Sequence, residues 1–484
     1  MIKSSTDRVP SYRCLSRNDV GCISRDCPLG VVCANVKSVN WLKSFGMDYS
    51  SHTYPRELAE KIIVEWPEVT NPLDDLPPME ALISLLSEAF QASLLREEGR
   101  PIRCRLVLIN PSELSEAEGP PTGMQVLQLQ DERKMSAQEI RRLSPCATFY
   151  RSLIGVRWDP EEGFWIWGIL NSGTRWVARI VGGRLQSPAA PNRLMINVSG
   201  PGNLIISRGD NLIATLLNGR LEGHGFDIYE AGWLQRSEEA FAQWAIRECF
   251  KDHDIGAIVE SDFVKMLGQN FTRRIISQVR RAQHGGMLII LRTEDTTEVV
   301  NPIGSIRPKY WIKETRANRR PRELLFAVMR ALSQLGAEHG FKTVCWKDYQ
   351  ELADERLARL DESIFECAHF LADLMAVDGA LVLTATWDVI GFGAEIHGPS
   401  NRNEVVYRAL DLEATELVEE RADEAGTRHR AAYRLSRQYP ACMIIVVSQD
   451  GAVTYVGNLN RKATYWDLGP FEPRARGQLY TAGC

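Results

Sequence analysis

No apolar run in this sequence is long enough to cross a bilayer. The longest, such as Cys442–Val447 and Met287–Leu291, are a handful of residues where about 20 are needed. Nor does one charge dominate: 57 Lys+Arg stand against 62 Asp+Glu, a net charge of −5. That balance gives no reason to expect bulk nucleic-acid binding or adhesion to a membrane surface. The N-terminus lacks the charged, apolar, then small-residue order of a secretion leader. These absences lead to an expectation of a soluble, cytoplasmic protein without a membrane partner. Of 11 cysteines, Cys14, Cys22, Cys27 and Cys33 crowd the start, but without a C-x-x-C pair or a nearby His, so the spacing of a structural zinc site is missing. They are read as free thiols in a loose extension. The other seven lie in apolar contexts and are expected to be small core residues in a reducing compartment. Internal repeats and low-complexity tracts are absent too.

What is present is core-forming material. Hydrophobic residues make up 44 % of 484, too long a chain for one ordinary core, so two or three domains are expected. Residues 1–50 read as a partly ordered extension. Arg56–Glu65 and Pro78–Arg96 carry helical spacing, with Leu82, Leu85, Leu86, Phe90 and Leu94 forming one stripe. Strand patterns follow at Ile102–Ile109, Leu153–Trp158, Phe164–Leu170, Trp176–Ile180, Leu194–Val198, Asn203–Ser207 and Leu212–Leu216, punctuated by Gly, Pro and Asn. Together these predict an α+β domain over 51–235.

From there the pattern becomes α/β. Glu238–Phe250, Asp262–Gln283, Pro321–Glu338 and Leu352–Ala376 read as helices. Gly391–Ile396 is strand-like, and His284–Leu291 is a short buried strand. Ala380–Thr384 and Met443–Ser448 are continuous apolar runs, the pattern of central strands covered on both faces. A mixed sheet flanked by helices is expected over 236–465, followed by a tail at 466–484. The acidic stretch Asp411–Glu424 reads as a solvated helix or loop. The arginines at 273, 274, 280, 281, 316, 319, 320 and 322 could encourage a DNA-contacting reading, yet are expected on solvated faces, which leaves nucleic acid outside the expected partners.

Two short motifs carry chemistry. Asp378-Gly379-Ala380 precedes a strand. It reads either as a plain turn or as a hard carboxylate presented where glycine lets a ligand come close. Gly426-Thr427-Arg428-His429-Arg430 opens an Ala-rich helix, with Thr427 the expected N-cap. Arg428 and Arg430 add positive charge where the helix dipole is already positive. Either Asp423 and Glu424 neutralise them, or the helix start awaits a polyanion such as a triphosphate.

Together, in this order, the motifs resemble the diadenylate cyclase family, the nucleotide-binding domain first associated with the bacterial DNA-integrity scanning protein. His284–Ile290 looks like the opening strand of that domain, and Ile444–Asp450 like the strand and Ser-led turn after its Arg motif. The likeness spans about 262–465, with expansions near 300–350 and 398–425. It implies that Asp378 holds Mg or Mn and helps deprotonate a ribose 3′-hydroxyl, while Gly379 and Ala380 let the nucleotide lie close. It also implies that Thr427, Arg428, His429 and Arg430 cradle the triphosphate of ATP, with Arg428 and Arg430 stabilising departing charge. Ser448 would contact phosphate or ribose, and Ile396 would wall the adenine. For His429, local packing at the helix start is the other reading. One motif of each kind per chain implies a face-to-face homodimer or higher oligomer, since joining two ATP molecules needs two sites. Tyr54–Ala59, Ser93–Pro101 and Gly200–Gly202 resemble the probable sensor domain often fused ahead of such cyclases. A nucleotide sensor without turnover is the alternative function.

Overall fold

The structure is a computed structural model. It describes residues 55–66, 76–114, 119, 124–147, 151–173, 183–184, 191–209, 211–217, 219–222, 227–399 and 404–468. The expected N-terminal extension, the strand Trp176–Ile180 and most of the expected tail lie outside these residues.

The N-terminal half is α+β. An eight-stranded sheet runs in the order Arg220–Glu222, Asn211–Leu217, Asn203–Arg208, Leu194–Gly200, Cys104–Leu108, Ser152–Asp159, Gly163–Asn171, Gln125–Lys134. Only the pairing of Cys104–Leu108 with Ser152–Asp159 is parallel. Helices Pro55–Glu65 and Met79–Ser93 contribute Leu58, Ile62, Leu82, Leu85, Leu86 and Ala89 to the core on one face of this sheet. Their spacing of three and four residues puts these side chains on one stripe. Leu94 departs from the expected stripe: it caps the helix and is half exposed. The strand Gln125–Lys134 and the helix Ala137–Leu143, begun by the Ser136 hydroxyl accepting from Glu139 N at 3.2 Å, were not expected from the sequence.

The C-terminal half is α/β, and its elements are numbered from its first long helix. Helix α1 (Gly232–Phe250) runs across the junction expected at 235–236. It is followed by α2 (Ser261–Ala282), β1 (Gly286–Leu291), β2 (Ile306–Arg307), β3 (Tyr310–Trp311), α3 (Arg320–Glu338), α4 (Glu355–Leu374), β4 (Ala380–Thr384) and β5 (Val389–Ile396). Then come β6 (Val405–Ala409), β7 (Leu417–Arg421), α5 (Thr427–Gln438), β8 (Met443–Val447), β9 (Val453–Leu459) and β10 (Lys462–Leu468). The mixed sheet has the order β2-β5-β4-β1-β8-β9-β10-β6-β7, with β3 added beside β5. β4 and β1 are parallel, whereas β1 and β8 are antiparallel.

The apolar runs are central strands covered on both faces, as their composition implies. Leu381, Leu383, Ile445 and Val447 pack with helices α1–α4, while Ala380, Val382, Ile444 and Val446 pack beneath α5. No helix among the described residues is long and apolar enough to cross a membrane.

Four expectations need correction. The acidic stretch is neither helix nor open loop: Asp411 caps a turn, accepting from Glu416 N at 2.6 Å, and β7 then pairs with β6. There Glu420 is held by Arg408 at 2.8 Å. Arg273 and Arg274 are not on a solvated face; they are 7 % and 2 % exposed. Arg273 binds both oxygens of Asp227 (2.9 and 2.7 Å), and Arg274 reaches Asp361 at 2.6 Å, so each buried charge has the partner its burial demands. The expected tail begins too early, because Trp466 is buried and stacks on Trp233 at 5.0 Å. Finally, Cys104, Cys249 and Cys442 are buried free thiols as expected, and Cys367 is a half-buried one, but the free thiol of Cys146 is exposed and Cys345 is disulfide-bonded.

Candidate functional site

Strand register brings the two motifs to one end of the C-terminal sheet. Leu288 pairs with Leu381, Gly286 with Val447, and Ala380 with Ala394. Gly285 and Ser448, one residue beyond the pair Gly286–Val447, and Asp378 and Ile396, two residues beyond the pair Ala380–Ala394, therefore line up as a row along this end of the sheet, with the main chain of Asp378 packed against Gly393. Of the residues singled out in the sequence, this row holds Ile396, Asp378 and Ser448.

Asp378 stands at the open side. Its side chain is 94 % exposed, and its nearest cation is Lys309 Nζ at 4.0 Å, which also lies 3.4 Å from Glu395. The strand pairing of β3 with β5 brings Lys309 here. No sequence motif marked it, because the contact joins segments far apart in the chain. Gly379 adopts φ +119, and a β-carbon there would stand 2.4 Å from Gly393 C and 2.7 Å from Ala394 N. Only glycine lets the chain turn from Asp378 into β4 against that backbone. Gly379→Ala is therefore expected to cost about 2–4 kcal/mol, combining left-region strain with a clash against unyielding main chain. Urea unfolding of the full chain reads this directly; an unchanged midpoint would refute it. Ala380 does not reach the surface. Its methyl is buried beneath α5, so it can serve a ligand only by being small. Ile396 is half-buried against the same cluster.

The helix start lies across the row. Gly426, not Thr427, is the N-cap of α5, and no side chain caps the first turn. Thr427 is exposed at the first helical position. The open N–H groups of that turn are thus left to solvent or an anion. Asp423 and Glu424 do not neutralise the motif arginines. Arg421 takes Asp423 at 3.0 and 2.5 Å and approaches Glu424 at 3.9 Å. Among the described residues Arg428 and Arg430 form no hydrogen bond or ion pair. Arg430 acts on Asp423 only through space, adding to the Arg421 contact that lowers that carboxyl's pKa.

Arg428 lies over the row: a β-carbon on Gly285 would meet its Nη1 at 2.9 Å. Gly285 thus lets the Arg428 guanidinium come down onto the strand start, whereas a β-carbon on Gly286, the next residue, would face the other way and meet Met375 at 3.0–3.2 Å. The sequence marks this glycine pair only as a strand start, not as the place where Arg428 comes close.

His429 turns the other way. Its Nε2 lies 3.2 Å from the Thr454 hydroxyl, which donates to Asp467 Oδ1 at 2.9 Å. Since the hydroxyl has one proton and gives it to Asp467, Nε2 must be the donor and Nδ1 the acceptor. Burial, helped by the Arg428 charge, lowers the His429 pKa despite Asp467 and Asp450. His429 is thus a neutral group packed at the helix start, the local reading of the two. Ser448 N and O close a turn with Ala452 O (2.8 Å) and Gly451 N (3.0 Å). Its hydroxyl makes no hydrogen bond among the described residues.

Among the described residues no group of three or more His, Cys, Asp or Glu could hold a metal ion. A single bare carboxylate does fit an ion such as Mg, which takes one or two protein carboxylates and completes its shell with water and substrate phosphates.

No curated protein and no solved structure matches the chain. Two family models do match stretches of it, the first along part of the N-terminal sheet and the second from within β5 into β9, taking in α5 and Ser448 but beginning after Asp378. Residues 71–171 match the probable sensor domain DACNV and residues 393–460 match the DisA bacterial checkpoint controller nucleotide-binding domain, so the chain carries a sensor-type segment ahead of a nucleotide-binding one.

Proposed function

We propose that this protein is a metal-dependent diadenylate cyclase, converting two ATP into cyclic di-AMP and two pyrophosphates in a site shared by two chains. The reading rests above all on one arrangement: an exposed carboxylate at Asp378 and two unpaired arginines at an uncapped helix start lie at the same end of one sheet, with Arg428 over Gly285. That is the kit phosphoryl transfer needs, which is alignment and charge compensation.

In this reading Arg428, Arg430 and the first-turn N–H groups of α5 hold the triphosphate. The triphosphate lies beside the strand start at Gly285, Ile396 walls the adenine, and the Ser448 hydroxyl donates to phosphate or ribose. His429 is a positioning residue, fixing the helix start through Thr454 and Asp467. Asp378 holds the metal and receives, directly or through water, the proton of the attacking 3′-hydroxyl. A bound Mg or Mn ion would supply positive charge at the α-phosphate and acidify that hydroxyl. The 3′-oxygen of one ATP bonds to the α-phosphorus of the other; the bond to the β-phosphate breaks and pyrophosphate leaves with its electron pair. Two such events close the ring. One chain carries one Asp378 and one Arg pair, so the two nucleotides must face each other across a twofold interface.

The division of labour follows: the N-terminal α+β half regulates, and the α/β half from helix α1 through β10 catalyses. The second reading, a regulated or silent nucleotide sensor, draws on Lys309, whose ammonium stands before Asp378 where a metal would bind. It draws also on Arg184, whose guanidinium lies 5.3 Å from the Tyr349 ring and bonds the Leu352 carbonyl, reaching the helical layer from beyond the sensor-type segment.

Incubating the purified chain with ATP and Mn or Mg, followed by mass spectrometry and size analysis, separates the readings. Cyclic di-AMP with pyrophosphate, produced by a dimer or larger assembly, is expected. Tight ATP binding without product would favour the sensor, and turnover by a strict monomer would overturn the shared site.

A further inference from the structure

A cavity of about 140 Å³ lies beneath α1, at the end of the C-terminal sheet opposite the Asp378 row. Its walls include Leu291 at the end of β1, Ala385 just past β4, and Met443 at the start of β8. The length of β4 separates it from Asp378 by roughly 17 Å. The volume suits one benzene-sized ring, and Tyr229, Phe241 and Trp387 give it aromatic walls.

Little of its polar lining reaches Glu238. Glu238 is half-buried there and receives one hydrogen bond, from Gln269 Nε2 at 2.7 Å. That bond uses the Gln269 amide, while its carbonyl oxygen accepts nothing among the described residues. The cations nearby are already engaged: Lys265 with Glu239 (2.9 Å) and Asp262 (2.6 Å), Arg292 with Asp295 (3.0 Å). Burial pushes the Glu238 carboxyl up to about 7 in spite of Gln269, Arg273 and Lys265. A carboxylate in that position has more burial than those two cations, both paired with other carboxylates, offset.

One residue of the wall is hard to explain by folding alone. Gly268 sits inside α2, where glycine costs about 0.5–1 kcal/mol relative to alanine. It does not have a left-handed φ, and an added β-carbon would meet nothing nearer than Trp387 at 3.7 Å. The folded chain has room for a side chain there, and a larger one would occupy the cavity.

We propose that this cavity is a second binding site, taking a compact organic amine whose ring lies among Tyr229, Phe241 and Trp387 and whose ammonium pairs with Glu238. The site is independent of the cyclase reading: it shares no residue with the Asp378 row, and its test uses no nucleotide.

The test is calorimetric titration of the full chain with benzylamine, and with benzyl alcohol as its uncharged isostere. Benzylamine is expected to bind at one saturable site, at least about tenfold more tightly than benzyl alcohol, the minimum for a charge-assisted contact. Glu238→Gln should erase that preference, and Gly268→Leu should abolish both titrations while leaving the melting temperature near that of the parent. No saturable binding at millimolar benzylamine would overturn the proposal, as would equal affinity for the two probes in the parent chain. The comparison of probes needs no variant, so it stands even if a substituted chain fails to fold.

Discussion

Asp378→Asn should lower cyclic dinucleotide production by on the order of 10³-fold while leaving stability within about 0.5 kcal/mol of the parent. The two halves of that result have separate causes. Stability is insensitive because the side chain is 94 % exposed and its one close cation, Lys309, is 4.0 Å away. An exposed ion pair at that distance is worth little. Activity is sensitive because, in the proposed mechanism, this carboxylate holds the metal, and the amide carries no charge for it. Product measured by mass spectrometry with Mn and with Mg, beside a melting curve, checks both halves. Residual activity within tenfold of the parent would remove Asp378 from the metal site. A large drop in melting temperature would instead make it a structural residue, against its exposure.

Much of this site could be read in the sequence because its parts are short and local. Asp378-Gly379 needs only a turn before a strand, and the Arg motif only a helix start. The apolar runs of β4 and β8 identify themselves as buried on two faces, and the row that joins the motifs follows from their pairing with β1. What escaped is non-local or lacks a pattern. Lys309 meets Asp378 only because β3 pairs with β5. Arg273 and Arg274 interrupt an otherwise amphipathic helix and so read as solvent-facing. Their partners Asp227 and Asp361 are 46 and 87 residues away, a distance at which periodicity carries no information. Gln125–Lys134 is an edge strand with no buried residue along its length, so it lacked the apolar alternation that marks a strand. The acidic strand β7 is hidden in the same way. Its Glu420 is held by Arg408 and by the Tyr465 hydroxyl at 2.5 Å, partners 12 and 45 residues away.

The N-cap error is more instructive. Thr427 has the chemistry of a cap, but Gly426 takes the position, and the first turn is left without a side-chain acceptor. A helix optimised for stability would not do this, nor would it place Arg428 and Arg430 at its positive end. Local rules fail at this helix start in the direction expected where a ligand completes the structure.

That conflict gives the second large effect its opposite signs. The pair Arg428→Met and Arg430→Ala should raise stability, or leave it unchanged, by up to about 1 kcal/mol, because each removes a cation from the positive end of α5. Met is chosen at 428 to keep the unbranched aliphatic stem while removing the charge. The same pair should weaken ATP binding by roughly 10²-fold or more, because two charge-assisted contacts to phosphate oxygens are lost and each is worth about 1.5–3 kcal/mol. Arg421→Ala is the matched control. It also removes a cation near the helix, yet its partners are Asp423 and Glu424, so ATP affinity should move little. Melting curves without nucleotide and ATP titrations, run on all three chains, decide the matter. A fall in stability for the double variant would mean that the arginines serve the fold. Unchanged ATP affinity would mean that the helix start is not where the triphosphate binds.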